Sequence, residues 1–452
     1  MTVRAFHRWL YLGYRRSAQI RHRFGRKVTR AGLLMLGIAF AAGGLGLDTN
    51  LSMAYQLFTL LAAMIVLALL WNFARPPVIP VERILPRLAT AGTPFRYEII
   101  ASNPLRKPLR GLALLDDLGD PSPGMEEFIN TPEPGEQKRN IFDRLFVYYR
   151  WMWLTGRREQ PAPAEQPLPV LARGGVASVQ MELTPRRRGY LRFLATEITS
   201  TDPFGLFRSR RRVSNPQSIL VLPKRYPSPR QALPGTTAYQ LGGVTMATSI
   251  GESGEFVSMR DYQRSDPPRR IHWKSSARAD RLIVKEYEDE FFMRQALILD
   301  TFQDSQPDEV FEEAVSVAAS FACTADTRDS LLDLMFVGPQ AYCFTAGRGV
   351  GQVEQMLEVL ACVQGTTEPR MEQLSELVAR HLAEVSGCVC VLLAWDDSRQ
   401  KLVAQIKRAG VPVLALVVAR EEVLLDPGPM RDDPGSLRLL PVGRVAEGLA
   451  RL

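Results

Sequence analysis

CVCVLLAWDDSRQKLVAQIKRAGVPVLALVVA (388–419) decides how the C-terminal third of this chain is built. CVCVLLAW (388–395) and VPVLALVVA (411–419) are apolar, β-branched runs of buried-strand length, and the charged SRQKLVAQIKRAG (398–410) between them reads as a helix. A strand, a helix and a second strand of this kind form one crossover unit of a parallel sheet. Upstream, ALILD (296–300), LLDLMFVG (331–338) and AYCFTAG (341–347) add strands. PDEVFEEAVSVAASFACTADT (307–327), GQVEQMLEVLACV (351–363) and MEQLSELVARHLAEV (371–385) add helices. The alternation predicts a doubly wound α/β domain over 296–452, with helices on both faces of the sheet. No G-x-G-x-x-G or G-x-x-x-x-G-K-[ST] follows any of these strands, so nothing supports nucleotide binding.

Ligands of such sheets bind at the carboxyl ends of the strands. There the first strand presents Asp300, Thr301 and Asp304, and the later one Asp396 and Asp397. Converging carboxylates can hold a hard cation through oxygen ligands. Acids at strand ends also cap the helices that follow, and the two readings stand side by side here. All five cysteines, Cys323, Cys343, Cys362, Cys388 and Cys390, lie in this third of the chain without a C-x-x-C pair, which reads as free thiols. Cys388 and Cys390 share one face of a predicted strand and read as small buried hydrophobes.

Residues 76–226 change character to short β-rich runs such as FRYEIIAS (95–102), LRGLALLDD (109–117), VASVQMEL (176–183) and LRFLATEITS (191–200), punctuated by Pro and Gly. They predict a β-sandwich-like domain. It is interrupted at about 119–172 by a segment with eight prolines around the aromatic, basic IFDRLFVYYRWMWLTGRR (141–158). Ile141, Leu145, Tyr149 and Met152 recur near helical spacing, as in a helix that lies in a lipid interface or packs on protein.

The net charge of +8 sits in one place. Residues 1–30 hold nine Lys or Arg and no acid, leaving 47 basic against 48 acidic residues elsewhere. Nucleic-acid binding is therefore not indicated. Two uncharged apolar runs follow the basic tail, 31–47 and 51–73, separated by DTN. Only a tight turn fits between them, and the reading is a transmembrane hairpin over 31–73. Nine basic residues before it, Arg75, Arg83 and Arg87 after it, and only Asp48 in the turn predict both termini in the cytoplasm. Ala39/Gly43 and Ala42/Gly46 have the small-xxx-small spacing of close helix approach.

The segment 227–295 contains EFVSMRDYQRSDPPRRIHWKSSARADRLIVKEYEDE (255–290), with eight acidic and eight basic residues around apolar anchors that include Phe256, Tyr262, Ile271 and Trp273. Burying sixteen charges is costly unless each is paired. The expectation is a network of ion pairs between two domains, with Arg260, Arg269 and Arg278 as donors and Glu255, Asp266 and Glu286 as acceptors. Asp266 precedes two prolines, which leaves its carboxylate available to cap or to clamp an Arg.

In G-E-F-x-x-x-R-x-Y (254–262), the Asp266 turn and R-x-I-x-W-K-x-S-A-R (269–278, with Trp273, Lys274, Ser276 and Arg278) the chain resembles bacterial membrane proteins that carry the domain of unknown function numbered 58. LTPRRRGYLRF (183–193) and TDPFGLFRSRRR (201–212) form a second signature. The resemblance covers almost the whole chain. It implies a von Willebrand factor A-like C-terminal domain, a bacterial inner membrane location and a MoxR-type AAA+ ATPase as partner. A metal-binding domain of that type would read D-x-S-x-S after its first strand, whereas Phe302 and Asp304 stand here at the two hydroxyl positions. A divalent cation on Asp300, Asp304 and Asp396 is thus the only cofactor to test.

The resulting functional expectation is a non-enzymatic, membrane-anchored scaffold or adaptor acting with that ATPase, and with other membrane proteins, in protein assembly, maturation or envelope stress. One alternative is a hydrolase using carboxylates near His272. Another is an anionic-lipid module acting through RRRG (186–189) and RSRRR (208–212).

Overall fold

The computed structural model describes residues 3–45, 52–72, 76–227, 256–263, 266, 268–287, 293–303, 309–324, 330–347, 350–366 and 371–452. It is a mixed α/β, multidomain protein that divides into two units. One holds Met1–Lys224 with Leu357–Val363, the other Arg225–Met356 with Gln364–Leu452.

The first unit begins with three helices, α1 (Val3–Lys27), α2 (Arg30–Leu45) and α3 (Ser52–Asn72). Within α3, Met53–Asn72 is a largely apolar stretch of 20 residues in which only Ala68 is buried, the one described helix long and apolar enough to cross a bilayer of about 30 Å. α2 has 16 residues, short of that length, so the expected run over 31–47 supplies an apolar helix but not a second full span by length. Ala39 and Ala42 are buried, and a Cβ on Gly43 would lie 3.1 Å from the Phe58 ring of α3. That is the close approach expected from the small residues; Gly46 and Arg75 lie outside the described residues.

The strands β1 (Val81–Ile84), β2 (Leu88–Thr90), β3 (Phe95–Ser102) and β4 (Leu112–Asp117) come next. The helical insertion α4 (Met125–Asn130), α5 (Ile141–Phe146) and α6 (Tyr148–Arg158) follows, then β5 (Gln166–Pro167), β6 (Val176–Leu183), β7 (Gly189–Thr201) and β8 (Arg208–Leu222). Two sheets form, ordered β1-β3-β6 and β2-β8-β7-β4-β5. Alternation is regular on β3, where Tyr97, Ile99 and Ala101 are buried between half-exposed neighbours. These residues share one core with Met181 of β6 and with Leu114, Phe193 and Ile219 of the other sheet, the packing of a two-layer sandwich. Arg83, counted above among basic residues flanking the membrane, is instead 2% exposed inside this unit.

The TDPFGLF signature closes β7 onto β8. Asp202 accepts hydrogen bonds from the backbone N–H of Phe204 (2.7 Å), Leu206 (2.9 Å) and Phe207, and Gly205 takes the left-handed conformation that the turn requires. The tip of the turn holds the α1–α2 junction. Leu206 O accepts from Thr29 N (3.0 Å) and Thr29 Oγ1 (3.0 Å), and Val28 packs with Leu206, Phe207 and Ala68 of α3. A Cβ on Gly32 would stand 2.3 Å from Leu206 O, a backbone atom with no freedom to yield. Gly32→Ala is therefore expected to destabilise the first unit by about 1–3 kcal/mol, the range of an overpacked contact. Thermal unfolding in detergent checks this; an unchanged melting temperature would mean that the helices are not seated on the turn.

The second unit contains β9 (Phe256–Asp261), α7 (Trp273–Ala279) and β10 (Ile283–Tyr287), then β11 (Met293–Leu299), α8 (Glu309–Thr324), β12 (Ser330–Val337) and β13 (Ala341–Ala346). The rest is α9 (Val350–Cys362, of which only Val350–Met356 belongs to this unit), α10 (Met371–His381), β14 (Gly387–Leu392), α11 (Asp397–Arg408), β15 (Val413–Ala419), β16 (Leu437–Pro441) and α12 (Val445–Leu449). β9 and β10 pair as a separate antiparallel ribbon. The six-stranded sheet runs β13-β12-β11-β14-β15-β16, parallel except for the edge strand β13. On one face α10 and α11 supply Leu374, Val378, Leu402 and Ile406 to a core with Ala296, Ile298, Cys388 and Cys390. α8, buried along most of its length, packs on β11, β14 and β15. Burial alone pushes the Cys388 thiol up to about 12, and burial followed by its neighbour Cys388 raises Cys390 well above its ordinary value, so both act as hydrophobes.

Candidate functional site

Two places collect the residues singled out by sequence. The first is the carboxyl edge of the six-stranded sheet. Chain order reverses between β11 and β14, so Asp300 at the end of β11 and Asp396 after β14 come together at the switch point. The guanidinium of Arg399, in the first turn of α11, stands between them. Its Nε donates to Asp300 Oδ2 (2.6 Å), one Nη donates to Phe302 O (2.9 Å) and the other to Asp396. Asp300 also accepts from Leu393 N (3.0 Å) and Phe302 N (3.0 Å). Complete burial pushes the Asp300 carboxyl above its ordinary value, opposed by Arg399 and by these two N–H groups.

These residues do not fit a divalent cation. Two of the three expected oxygen donors are held by Arg399, and Phe302 lies in the apolar core where a hydroxyl ligand would stand. Asp396 caps α11 by accepting from Arg399 N (2.9 Å), as in the capping alternative raised for these acids. Asp304 lies outside the described residues. Arg399 was missed by the sequence reading, and its position three residues after Asp396 was the available signal.

The second place is the signature module β9-α7-β10. Asp266 and Arg260 form a two-pronged ion pair, with both nitrogen–oxygen distances 2.7 Å, and Asp266 also accepts from Gln263 N (2.8 Å), which folds the turn after β9. Ser276 is buried. Its Oγ accepts from Ile283 N (2.9 Å) and donates to His272 O (3.1 Å), holding α7 against the start of β10. His272 N donates to Ile283 O (2.8 Å), Tyr262 N to Leu282 O (2.9 Å), and Ile271 bridges Val284, which is 2% exposed. Arg281 and Asp261 add a solvent-exposed pair at 3.1 Å. The charge balance of this stretch is thus met partly by pairs local to the module.

Three signature residues take no part in that internal scaffold. Trp273, expected as an apolar anchor, is 67% exposed at the start of α7. Lys274 and Arg278 are exposed on the same short helix, and Arg278 makes no ion pair among the described residues. With the buried Ser276 turned to β10, α7 leaves Arg278 on its opposite, exposed side. Arg269 is also exposed. Phe256 lies on β9 and Glu286 on β10, where the strand register places Glu286 opposite Ser258; Glu255 lies outside the described residues. The Nδ1 of His272 lies 2.7 Å from Ser275 Oγ, and no carboxylate bonds to His272 among the described residues.

Three of the four arginines in the run 208–212 pair with carboxylates. Arg208 pairs with Glu165 (2.8 Å), Arg210 with Glu197 and Arg212 with Asp117 (3.2 Å). Carboxylates thus face three of its guanidinium groups, and Arg211 is half-exposed.

The similarities of this chain to known proteins are partial. The uncharacterized protein YeaD of Bacillus subtilis (strain 168) is 25% identical over 247 residues, covering 49% of this chain and 60% of that relative. This chain thus spans less than two thirds of the relative's length. Among solved structures, a red sea bream transglutaminase matches at 14% identity over 33% of this chain and 15% of its own, with a TM-score of 0.17. A GH20 exo-β-N-acetylglucosaminidase from Vibrio harveyi matches at 9% identity over 78% and 59%, also with a TM-score of 0.17. Such scores carry no argument about fold or activity. Residues 258–443, from the signature module through the six-stranded sheet, match the family described as protein of unknown function DUF58.

Proposed function

We propose that this chain is a membrane-anchored interaction protein that presents the outer face of α7 to a partner of the MoxR-type AAA+ class. The observation that carries this reading is Trp273. A tryptophan left 67% exposed, beside Lys274 and Arg278, is costly to solvate and makes no hydrogen bond within the module among the described residues, whereas an aromatic with flanking cations is the usual composition of an interface centre. α2 and α3 support anchoring as an apolar helix pair, with α3 long enough to span. The 3-2-1-4-5-6 strand order with an antiparallel edge supports a von Willebrand factor A-like reading of the second unit. In that reading Arg399 closes the edge at which other members of such a fold hold a metal.

Crosslinked purification from gently solubilised membranes tests the proposal. Wild-type protein is expected to bring down an AAA+ ATPase. Trp273→Ala is expected to weaken that recovery by roughly 2 kcal/mol, about thirty-fold in affinity, with the melting temperature unchanged. Recovery of the ATPase at wild-type level by Trp273→Ala would move the contact elsewhere, and its absence from wild-type preparations would overturn the partner.

A further inference from the structure

We propose that the outer faces of α1 and α5 form a lipid-interface surface that lies against a bilayer containing anionic phospholipid. The inference rests on the reading of α2 and α3 as a membrane anchor.

α1 is apolar on two sides. Its inner side, Leu10 and Tyr11 with Phe6 and Tyr14, packs on Phe128, Trp151 and Leu154 of the insertion. Tyr11 donates to Pro123 O (3.0 Å) and Tyr14 to Phe146 O (2.8 Å), which fixes the helix on α4, α5 and α6. The amphipathic segment at 141–158 therefore packs on protein through α6, but that contact uses only one of its faces.

The other faces remain exposed. On α1, Trp9, Leu12 and Ile20 are 63%, 46% and 65% exposed, and Arg16 lies among them. On α5, Ile141, Phe142, Leu145 and Phe146 occupy one side of the helix and are 79%, 74%, 49% and 45% exposed. The two groups are continuous: Trp9 stacks on Phe6 (6.2 Å between ring centroids), and Phe6 meets Phe146 (6.5 Å). An apolar patch spread over two helices exceeds what single scattered hydrophobes on a soluble surface explain.

Charge and connectivity select the occupant. The first 30 residues carry nine basic groups and no acid, and Arg8, Arg15, Arg16 and Arg21 are exposed on α1. Such a surface matches anionic headgroups above an acyl boundary. α1 also leads through Val28 and Thr29 directly into the apolar α2. A protein partner would need an acidic, apolar complement, whereas a bilayer already belongs to the anchor reading of α2 and α3.

The test places a photoreactive benzoyl-phenylalanine at Phe142, Trp9, Leu60 or Tyr190 of the full chain, reconstituted in lipid discs. Leu60 is exposed on α3 and reports the anchor; Tyr190 is exposed on β7 and reports background. Lipid adducts are expected at Phe142 and Trp9, as at Leu60, with several-fold lower yield at Phe142 and Trp9 in phosphatidylcholine discs than in discs containing phosphatidylglycerol. Lipid adducts at Leu60 with none at Phe142 and Trp9, or protein adducts there, would overturn the surface and leave the anchor intact. Absence at Leu60 as well would overturn the anchor and the surface with it.

Discussion

Arg83→Ala is expected to cost the first unit about 3–5 kcal/mol, the largest effect of any single substitution considered in it. Arg83 and Asp116 both have fully buried side chains and are joined at 2.6 and 3.0 Å, one from each sheet of the sandwich. Every remaining position around them is filled. Thr196 Oγ1 and Asn215 Oδ1 accept from Arg83 (3.0 Å each), Asn215 O accepts from it as well (3.0 Å), and its guanidinium lies 4.7 Å from the centre of the Phe193 ring. Tyr97 OH donates to Asp116 (2.8 Å), and burial first, then the neighbouring Asp116, pushes that phenol well above its ordinary value. The hydroxyl thus stays a donor over the whole accessible pH range.

Removing Arg83 leaves a charge and its hydrogen-bonding partners in a dry interior, and the penalty is that of an unpaired buried carboxylate rather than of a lost contact. The melting temperature of the first unit should fall by roughly 10 °C. Tyr97→Phe removes one charge-assisted bond and should cost about 1.5–3 kcal/mol. Hydrogen exchange of the β1 and β4 amides resolves both. A loss under about 1 kcal/mol for Arg83→Ala would mean that water reaches Asp116 and that the network is weaker than its geometry.

Arg399→Ala is expected to destabilise the second unit by a similar amount, about 3–5 kcal/mol. Asp300 is completely buried and would lose its only cationic partner among the described residues, keeping the N–H groups of Leu393 and Phe302. Arg399→Lys should recover only part of the loss, since an ammonium cannot reach Asp300, Asp396 and Phe302 O with the fixed fork of a guanidinium. Replacing both members, Asp300→Leu with Arg399→Met, should cost less than Arg399→Ala alone, because no charge is then left buried. Chemical unfolding monitored by exchange in β11 and β14 distinguishes these cases. Equal losses for the single and double variants would show that the fork serves packing and not charge compensation.

These two networks were invisible along the chain for the same reason. Arg83 and Asp116 are 33 residues apart, and Asp300 and Arg399 are 99 apart. Each is an ordinary charged residue in its own window, and only the pairing of strands brings them together. Local pattern did better where the cause was local. Apolar runs and helical patterns along 296–452 predicted alternating strands and helices because a buried parallel strand must be apolar on both faces. Asp266 before two prolines was legible as a clamp because the turn forces its carboxylate onto Arg260, six residues away. Trp273 was misread as an anchor because an aromatic in a charged stretch looks like the one residue to bury. It stands instead at the first position of α7 and is 67% exposed, which no local pattern in the chain reveals.

What the amino-acid order by itself determined is the type of each element and the location of charge: two apolar helices after a basic helix, short alternating strands, then apolar strands between helices. Those properties depend on side-chain periodicity and solvation within about twenty residues. The tertiary structure alone decided which charges are partners, which signature residues support the fold and which face solvent, and that Arg399 fills the strand edge. Those depend on distances between residues remote in sequence, which the chain acquires only when its sheets close.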